Sequence, residues 1–161
     1  MEKGVQNKNL VSVIMGLYEK DDPGFLPDSL ESILNQTYEF FEFIIVADAT
    51  TSSKLESIVV EFASRDARIK FFKINKECNF PEVLNFAVSK TRGDFIARMD
   101  PDDVASSERF EEQVRFLLEN PATDIVGTFV TEIDSSNRPI FVKKLPTKNK
   151  ELVKFQSYRD A

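Results

Sequence analysis

The sequence contains no histidine, no tryptophan and only one cysteine, Cys78, among its 161 residues. Without histidine the chain has no imidazole to act as a general base, to complete a serine–histidine–aspartate triad or to bind a metal ion. A single cysteine excludes a disulfide bond within the chain and a zinc site built from several cysteines. Catalytic or metal-binding chemistry must therefore depend on carboxylates, hydroxyls and basic side chains.

Long apolar segments and excess positive charge are also missing. No apolar run approaches the roughly 18 residues that a membrane-spanning helix requires, and the first ten residues, MEKGVQNKNL, lack the apolar centre of a signal peptide. The formal net charge of −6 argues against nucleic acid as a partner. We therefore expect a cytoplasmic protein, and the sequence leaves peripheral association with the inner face of the cell membrane open.

Apolar runs and helical patterns alternate along the chain. Four apolar runs predict strands, at residues 10–18, 41–48, 68–74 and 94–99, and a helical pattern follows each of them. The first, second and fourth of these runs indicate buried strands. Beyond the fourth helix we expect a hairpin that turns at SSN, residues 135–137, and the start of one more helix. This alternation predicts an α/β fold in which helices flank a mainly parallel sheet, in a single domain spanning residues 1–161.

Asn79, Pro81 and Glu82 predict the start of the third helix. Two other predicted helices begin with the spacing of a capping box, a polar residue followed three positions later by glutamate. The pairs are Asp28 with Glu31 and Ser53 with Glu56. We expect each of these pairs to mark the first turn of its helix.

Side chains that could bind a ligand follow three of the four strands. Tyr18 follows the first strand, Asp48 the second, and Asp100, Asp102 and Asp103 the fourth. The carboxyl ends of parallel strands meet at one edge of the sheet, where ligands bind in such folds. We therefore expect these residues to form one site.

The three aspartates lie within four positions, so their charges should repel one another unless a cation lies between them. Oxygen ligands on a tight loop favour a hard divalent cation such as Mn²⁺ or Mg²⁺, which could also hold phosphate oxygens. The alternative is a solvated turn whose aspartates cap the following helix. We expect Arg92 and Arg98 to be the cations nearest to the acidic loop, and Arg98 to pair with Asp100 or its neighbours.

Tyr18 and Asp48 also allow two interpretations each. The ring of Tyr18 could stack on a nucleobase or could pack at the end of its strand. The carboxylate of Asp48 could accept a hydrogen bond from a nucleobase N–H or could cap the turn after its strand.

Four segments resemble, in order, the N-terminal half of family 2 glycosyltransferases, which are inverting enzymes of the GT-A fold that use nucleotide-diphosphate sugars. The segments are VSVIMGLYEKDD, LPDSLESILNQTYEFFEFIIVAD, NFPEVLNFAVSKTRGDFIARMDPDD and SERFEEQVRFLLENPATDIVGT, and the resemblance covers residues from about 10 to 133. It is strongest to bacterial enzymes that build capsule, exopolysaccharide or lipopolysaccharide sugars.

The resemblance implies roles for the five candidate residues. Asp100, Asp102 and Asp103 match the metal-binding DxD element of the family, which holds Mn²⁺ or Mg²⁺ against the donor diphosphate. Asp48 matches an acidic position that contacts the base, often uracil, and Tyr18 matches an aromatic residue near that base. The expected partners are a nucleotide-diphosphate sugar, foremost a UDP-sugar, and a saccharide or lipid-linked saccharide acceptor.

The sequence also departs from the family pattern. Gly16 and Glu19 replace the usual proline and asparagine around the aromatic residue, and Ala47 and Ala49 replace the first aspartate and the glycine of the usual DDGS turn. Family members continue into an acceptor-binding half that carries the catalytic base. The resemblance therefore implies that this chain is the donor-binding part, and that the catalytic base lies beyond Ala161.

Two other functions are weighed against that interpretation. A non-catalytic nucleotide-binding fragment would keep the sheet but transfer nothing, and the altered ADATTS segment favours it. DPDDV also has the spelling of the nucleophile loop of haloacid-dehalogenase-type phosphatases, with Asp100 as the nucleophile. Those enzymes carry the loop on an early strand and need a later lysine and acidic pair, so we favour the glycosyltransferase interpretation.

Overall fold

A computed structural model describes residues 9–134 and 138–157. The chain divides into two compact units, Met1–Glu119 and Asn120–Ala161.

The first unit alternates strands and helices as the sequence predicts. Its strands are β1 (Val11–Leu17), β2 (Phe41–Ala47), β3 (Ile69–Lys73) and β4 (Phe95–Arg98). Its helices are α1 (Leu26–Leu34), α2 (Ser53–Arg65), α3 (Phe80–Val88) and α4 (Arg109–Glu119). Each helix follows the strand of the same number, so the predicted order of elements is confirmed.

The four strands form a parallel sheet in the order β3-β2-β1-β4. Every residue of β1 and β2 is buried, as expected for central strands covered on both faces. The prediction of a buried fourth strand is wrong, because β4 forms one edge of the described sheet and alternates between half-buried and exposed residues. Ile96 at its centre is 51% exposed.

Side chains of β1 alternate between two apolar clusters, one on each face of the sheet. The larger cluster packs Met15 and its odd-numbered neighbours against the apolar faces of α1, α2 and α4. The smaller cluster packs Ile14 against Val83 and Ala87 of α3. The two-residue period of a strand thus distributes four helices over both faces of the sheet.

The predicted start of α3 is confirmed, and the structure shows a capping box there. The side chain of Asn79 accepts a hydrogen bond from the backbone N–H of Glu82, and the Glu82 carboxylate accepts one from the backbone N–H of Asn79. The helix therefore begins where the sequence predicts.

The other two helix starts differ from the prediction. The cap of α2 is Ser52, one residue earlier than expected, and its hydroxyl accepts a hydrogen bond from the backbone N–H of Leu55. In α1 the N-cap is Phe25 and no side chain caps the helix. Pro27 starts this helix early because its fixed backbone angle is helical. Asp28 therefore lies inside the first turn, where its negative charge interacts favourably with the helix dipole.

A buried carboxylate lies at the amino-terminal end of the sheet. Glu42 is 3% exposed and accepts hydrogen bonds from Ser12 Oγ (2.8 Å), Lys70 Nζ (2.6 Å) and the backbone N–H of Arg92 (2.8 Å). Burial acts to raise the pKa of Glu42, but these hydrogen bonds outweigh it and lower the pKa to about 2. The Arg92 guanidinium also donates to Glu42, so Arg92 is engaged at the end of the strands opposite to the aspartates.

The second unit contains a hairpin and a helix, as predicted. Strands β5 (Val130–Ile133) and β6 (Pro139–Lys143) pair in antiparallel fashion, and α5 (Asn149–Ser157) follows. The predicted SSN turn of this hairpin, residues 135–137, lies outside the described residues. Each described strand residue is exposed within this unit.

Candidate functional site

The predicted site residues follow neighbouring strands at the carboxyl edge of the sheet. Leu17 at the end of β1 lies opposite Ala47 at the end of β2, so Tyr18 and Asp48 leave the sheet side by side. On the other flank of β1, the backbone N–H of Met99 donates to Ile14 and places Asp100 at the same edge. The predicted convergence is therefore confirmed in the backbone.

The aspartates lie on a tight turn, in which the backbone N–H of Asp103 donates to the carbonyl of Asp100 at 3.3 Å. Within this turn Pro101 is buried, whereas Asp102 and Asp103 are exposed. The carbonyl of Asp100 also accepts a hydrogen bond from the hydroxyl of Ser29 at 3.0 Å. The buried Pro101 and the hydrogen bond from Ser29 thus fix the turn, and its other side presents two carboxylates to solvent.

Polar side chains on one face of α1 and just after its end hold the segment that follows the aspartates. Ser29 binds the turn itself, and the hydroxyl of Ser32 accepts a hydrogen bond from the backbone N–H of Ala105. Gln36 is buried, donates to the carbonyl of Ser106 at 2.6 Å and accepts from the backbone N–H of Phe110 at 3.0 Å. These contacts connect the aspartate turn and the start of α4 to α1.

Two arginines place positive charge at the aspartates. Arg98 donates from Nε to Oδ1 of Asp100 (3.1 Å) and from one terminal nitrogen to both carboxylate oxygens (2.9 Å each). Arg109 donates to the backbone carbonyl of Arg98 at 2.9 Å, and its charge lies close enough to influence Asp103 and Asp100. The predicted pairing of Arg98 with Asp100 is confirmed, whereas the expected proximity of Arg92 is wrong.

Negative charge still dominates the cluster. Partial desolvation by the surrounding protein and the charges of Asp102 and Asp100 raise the pKa of Asp103, and Arg109 and Arg98 oppose this effect. A fourth carboxylate, Asp21, accepts a hydrogen bond from the backbone N–H of Tyr18 at 2.7 Å. Burial, with the charges of Asp102 and Asp100, raises the pKa of Asp21. A further cation would therefore be stabilised here.

The ring of Tyr18 forms one wall at this edge. It lies beside Phe80 at the start of α3, with the two ring centroids 5.5 Å apart. Its hydroxyl is buried and has no hydrogen-bond partner among the described residues. Burial and the nearby charge of Asp48 raise the pKa of Tyr18 to about 12, so the phenol stays neutral.

Asp48 is 1% exposed, and both of its carboxylate oxygens accept hydrogen bonds from the protein. Oδ1 accepts from the backbone N–H and the hydroxyl of Thr50 (2.9 and 2.7 Å) and from Thr51, and Oδ2 accepts from the backbone N–H of Cys78 at 2.9 Å. Burial acts to raise the pKa of Asp48, but these hydrogen bonds outweigh it and lower the pKa. Asp48 therefore joins the loop after β2 to the segment before α3.

The aspartate turn suits a divalent cation by the chemistry of its ligands. Its exposed carboxylates are the hard oxygen donors that Mn²⁺ and Mg²⁺ prefer. Within residues 9–134 and 138–157, however, no group of three or more acidic side chains is arranged to hold a metal ion by itself. A cation bound at this turn would need other ligands to complete its coordination, and phosphate oxygens are suitable ones.

Residues 12–160 match the family model described as glycosyl transferase family 2. The chain belongs to this family. The match covers most of the chain and includes both compact units and all five candidate residues. It agrees with the resemblance in the sequence and favours it over the phosphatase interpretation.

Curated relatives of this family 2 chain carry glycosyltransferase names. An uncharacterized glycosyltransferase of Methanocaldococcus jannaschii is 38% identical over 133 residues, which are 83% of this chain and 46% of that protein. The UDP-Gal:alpha-D-GlcNAc-diphosphoundecaprenol beta-1,3-galactosyltransferase of Escherichia coli is 32% identical over 149 residues, 92% of this chain and 54% of that protein. The chain thus spans about half the length of these relatives.

The structure resembles that of a mannosyltransferase from Pyrobaculum calidifontis, solved in complex with GDP-Man and Mn²⁺. The TM-score is 0.62 at 18% sequence identity, over 70% of this chain and 33% of the other. This likeness confirms the GT-A fold expected for a family 2 chain. No helix in the described part of the chain is long and apolar enough to cross a membrane.

The structure adds site residues that the sequence did not reveal. Asp21 and Arg109 join the charged cluster, and Gln36 positions the segment after it. For Gln36 a signal existed, because Ser29, Ser32 and Gln36 are spaced by three and four residues, so polar side chains recur at helical spacing along α1 and just beyond its end. Asp21 and Arg109 carried no comparable pattern, since only the fold brings them to the aspartates.

Proposed function

We propose that this family 2 domain binds a nucleotide-diphosphate sugar through a divalent cation and supplies the donor side of an inverting glycosyl transfer to an acceptor hydroxyl. The observation that supports this most directly is the turn at the carboxyl edge of the sheet, where exposed aspartates lie close to Tyr18. Ligands of open α/β sheets bind at this edge. The match to the model of glycosyl transferase family 2 and the GT-A fold of the chain also support the proposal.

We assign the aspartate turn to the metal and the diphosphate. Asp100, Asp102 and Asp103 would hold Mn²⁺ or Mg²⁺, with the donor phosphates as further ligands. When bound, the cation would offset the charge that develops on the departing diphosphate. Desolvation and the charges of Asp102 and Asp100 raise the pKa values of Asp103 and Asp21, and this supports the assignment, because a bound cation would stabilise the charged carboxylates.

We assign the nucleoside to the wall formed by Tyr18. The exposed side of this ring would stack on the base, and Asp48 would shape the base pocket through the loops that it joins. A direct hydrogen bond from an N–H of the base to Asp48 stays a prediction, and the five protein hydrogen bonds that this carboxylate accepts favour the indirect role. We assign the role of catalytic base to none of the described residues.

A relative and a structural neighbour support the choice of substrates. The Escherichia coli relative is named for a UDP-sugar and a diphosphoundecaprenol acceptor, and the Pyrobaculum calidifontis structure contains GDP-Man and Mn²⁺. We propose a UDP-sugar as the donor and a saccharide or lipid-linked saccharide as the acceptor. A protein that uses such an acceptor would work in the cytoplasm at the inner face of the membrane.

A thermal-shift titration with UDP, GDP, CDP and dTDP, each with and without Mn²⁺, tests the donor site. A ligand at 100 times its dissociation constant stabilises a fold by roughly 2.7 kcal/mol, which is readily measured. We expect a shift that needs Mn²⁺ and one nucleotide, that is lost in Asp102→Asn and that is kept in Glu61→Gln, a charge-matched variant of an exposed residue on α2. The absence of any shift would refute the proposed donor site.

The non-catalytic alternative makes the same binding prediction but differs in turnover. Incubation of residues 1–161 with the donor found by the titration and a panel of saccharide acceptors would separate the two. Transfer by this chain alone would exclude the non-catalytic fragment. If this chain binds the donor without transferring the sugar, and a chain extended to the length of the relatives does transfer it, then residues needed for transfer lie outside residues 1–161.

A further inference from the structure

Arg98 and Asp100 form a two-point ion pair inside the proposed metal site. Both carboxylate oxygens of Asp100 accept hydrogen bonds from the guanidinium, at 2.9 to 3.1 Å. This arrangement uses the planar fork of arginine, which lysine lacks. In this structure the guanidinium therefore lies where a cation bound to Asp100 would lie.

Contacts on other sides fix the position of Arg98. Its guanidinium carbon lies 4.9 Å from the centroid of the Phe80 ring, a cation–π arrangement. Its backbone carbonyl accepts a hydrogen bond from Arg109 at 2.9 Å. Because Arg98 is also part of β4, its side chain is directed at Asp100 by the fold and not by the ion pair alone.

The pair is nevertheless exposed enough to be displaced. The side chains of Arg98 and Asp100 are 53% and 38% exposed, and ion pairs of this exposure contribute little to stability. The next two aspartates on the turn, Asp102 and Asp103, are exposed and have no hydrogen bond to Arg98 among those that the described residues make. A divalent cation could therefore approach the turn from solvent and compete for Asp100.

We propose that Arg98 is an internal counter-ion of Asp100 that a divalent cation must displace in order to bind, an inference that rests on the proposed metal role of the turn. Arg98 compensates the charge of Asp100 before the metal arrives and lowers the affinity of the turn for the metal. The donor diphosphate, which brings further ligands, would then be needed for tight metal binding. Arg98 is thus a positioning residue that makes metal affinity depend on the donor.

Binding of Mn²⁺ alone to the complete 161-residue chain tests this competition, with free Mn²⁺ counted by electron paramagnetic resonance. Arg98→Gln should bind Mn²⁺ about fivefold more tightly, the upper range for an exposed ion pair. Arg98→Lys keeps the charge but loses the fork, so its affinity should lie between the two. Arg65→Gln, which removes an arginine paired with Glu61 on α2, should match the wild type.

A structural readout distinguishes competition from a general effect of charge. In a Mg²⁺ titration followed by NMR, the Nε–H signal of Arg98 should shift and lose its protection from solvent exchange as the metal binds. An unchanged Nε–H signal during Mg²⁺ binding, or equal Mn²⁺ affinity in the wild type and Arg98→Gln, would overturn the inference and leave the proposed function standing. Absence of Mn²⁺ binding by every variant, with and without UDP, would overturn both.

Discussion

Replacement of the buried carboxylate of Glu42 should destabilise the fold in a pH-dependent way. Folding lowers the pKa of Glu42 from an ordinary 4.5 to about 2. At ~1.36 kcal/mol per pKa unit, this difference corresponds to about 3 kcal/mol of stability at neutral pH. Lys70 and Arg92 are partly exposed, so solvent screens their charges, and we expect Glu42→Gln to lose about 2–3 kcal/mol.

The direction of the pH dependence follows from the lowered pKa. The carboxylate stabilises the folded state fully above the unfolded pKa of 4.5 and loses this effect as the pH falls towards 2. The difference in unfolding free energy between the wild type and Glu42→Gln should therefore shrink by about half between pH 7 and pH 3. Other carboxylates titrate in both proteins and cancel in the comparison.

Urea unfolding followed by circular dichroism at the two pH values measures this difference, and the absence of tryptophan makes circular dichroism the practical probe. Glu61→Gln is the matched control, because Glu61 is exposed and its one ion pair among the described residues is with Arg65, one helical turn away. It should lose no more than about 0.5 kcal/mol at either pH. A loss in Glu42→Gln no larger than in this control, or one that does not shrink at pH 3, would refute the reasoning.

Three further substitutions test other parts of the structure by the same unfolding measurement. Gly93→Ala would place a methyl carbon 2.5 Å from a backbone oxygen and 2.7 Å from a backbone nitrogen at the start of β1, so it should cost about 1–3 kcal/mol, whereas Gly127→Ala, with no atom within 4 Å, should cost far less. Gln36→Ala should cost about 2 kcal/mol and weaken the nucleotide-dependent thermal shift, because it leaves the buried backbone N–H of Phe110, in the first turn of α4, without the acceptor that Gln36 provides. Asp48→Asn should cost about 1–3 kcal/mol, because its amide NH₂ would face an N–H group whose hydrogen bond the carboxylate now accepts. A stability of Asp48→Asn equal to that of the wild type would contradict this.

The order and type of the elements could be predicted because they depend on local pattern. The continuous apolar character of β1 and β2 predicts central strands, and the structure buries every residue of both. The start of α3 is determined by Asn79 and Glu82, three residues apart, whose contacts need no other part of the chain. Where a neighbouring feature competes, prediction fails: Pro27 moves the start of α1 and leaves Asp28 inside the helix.

The candidate site could be predicted only in part. The sequence places Tyr18, Asp48 and the aspartates after strands, and a parallel sheet brings such positions to one edge. It did not predict how each side chain is used. Asp48 follows its strand as a ligand-binding carboxylate would, but the loop after β2 and the backbone of Cys78 surround it, and it is buried.

By itself the sequence determined the parallel α/β fold, the exclusion of histidine and disulfide chemistry, and the edge at which the site lies, because each depends on composition or on periodicity within a few residues. Only the tertiary structure decided which cations compensate the aspartates. Arg92 and Arg98 are close in sequence, yet the first binds Glu42 at one end of the sheet and the second binds Asp100 at the other. Arg109, on the next helix, supplies the second cation at the aspartates. Charge acts through distance in space, and only folding establishes those distances.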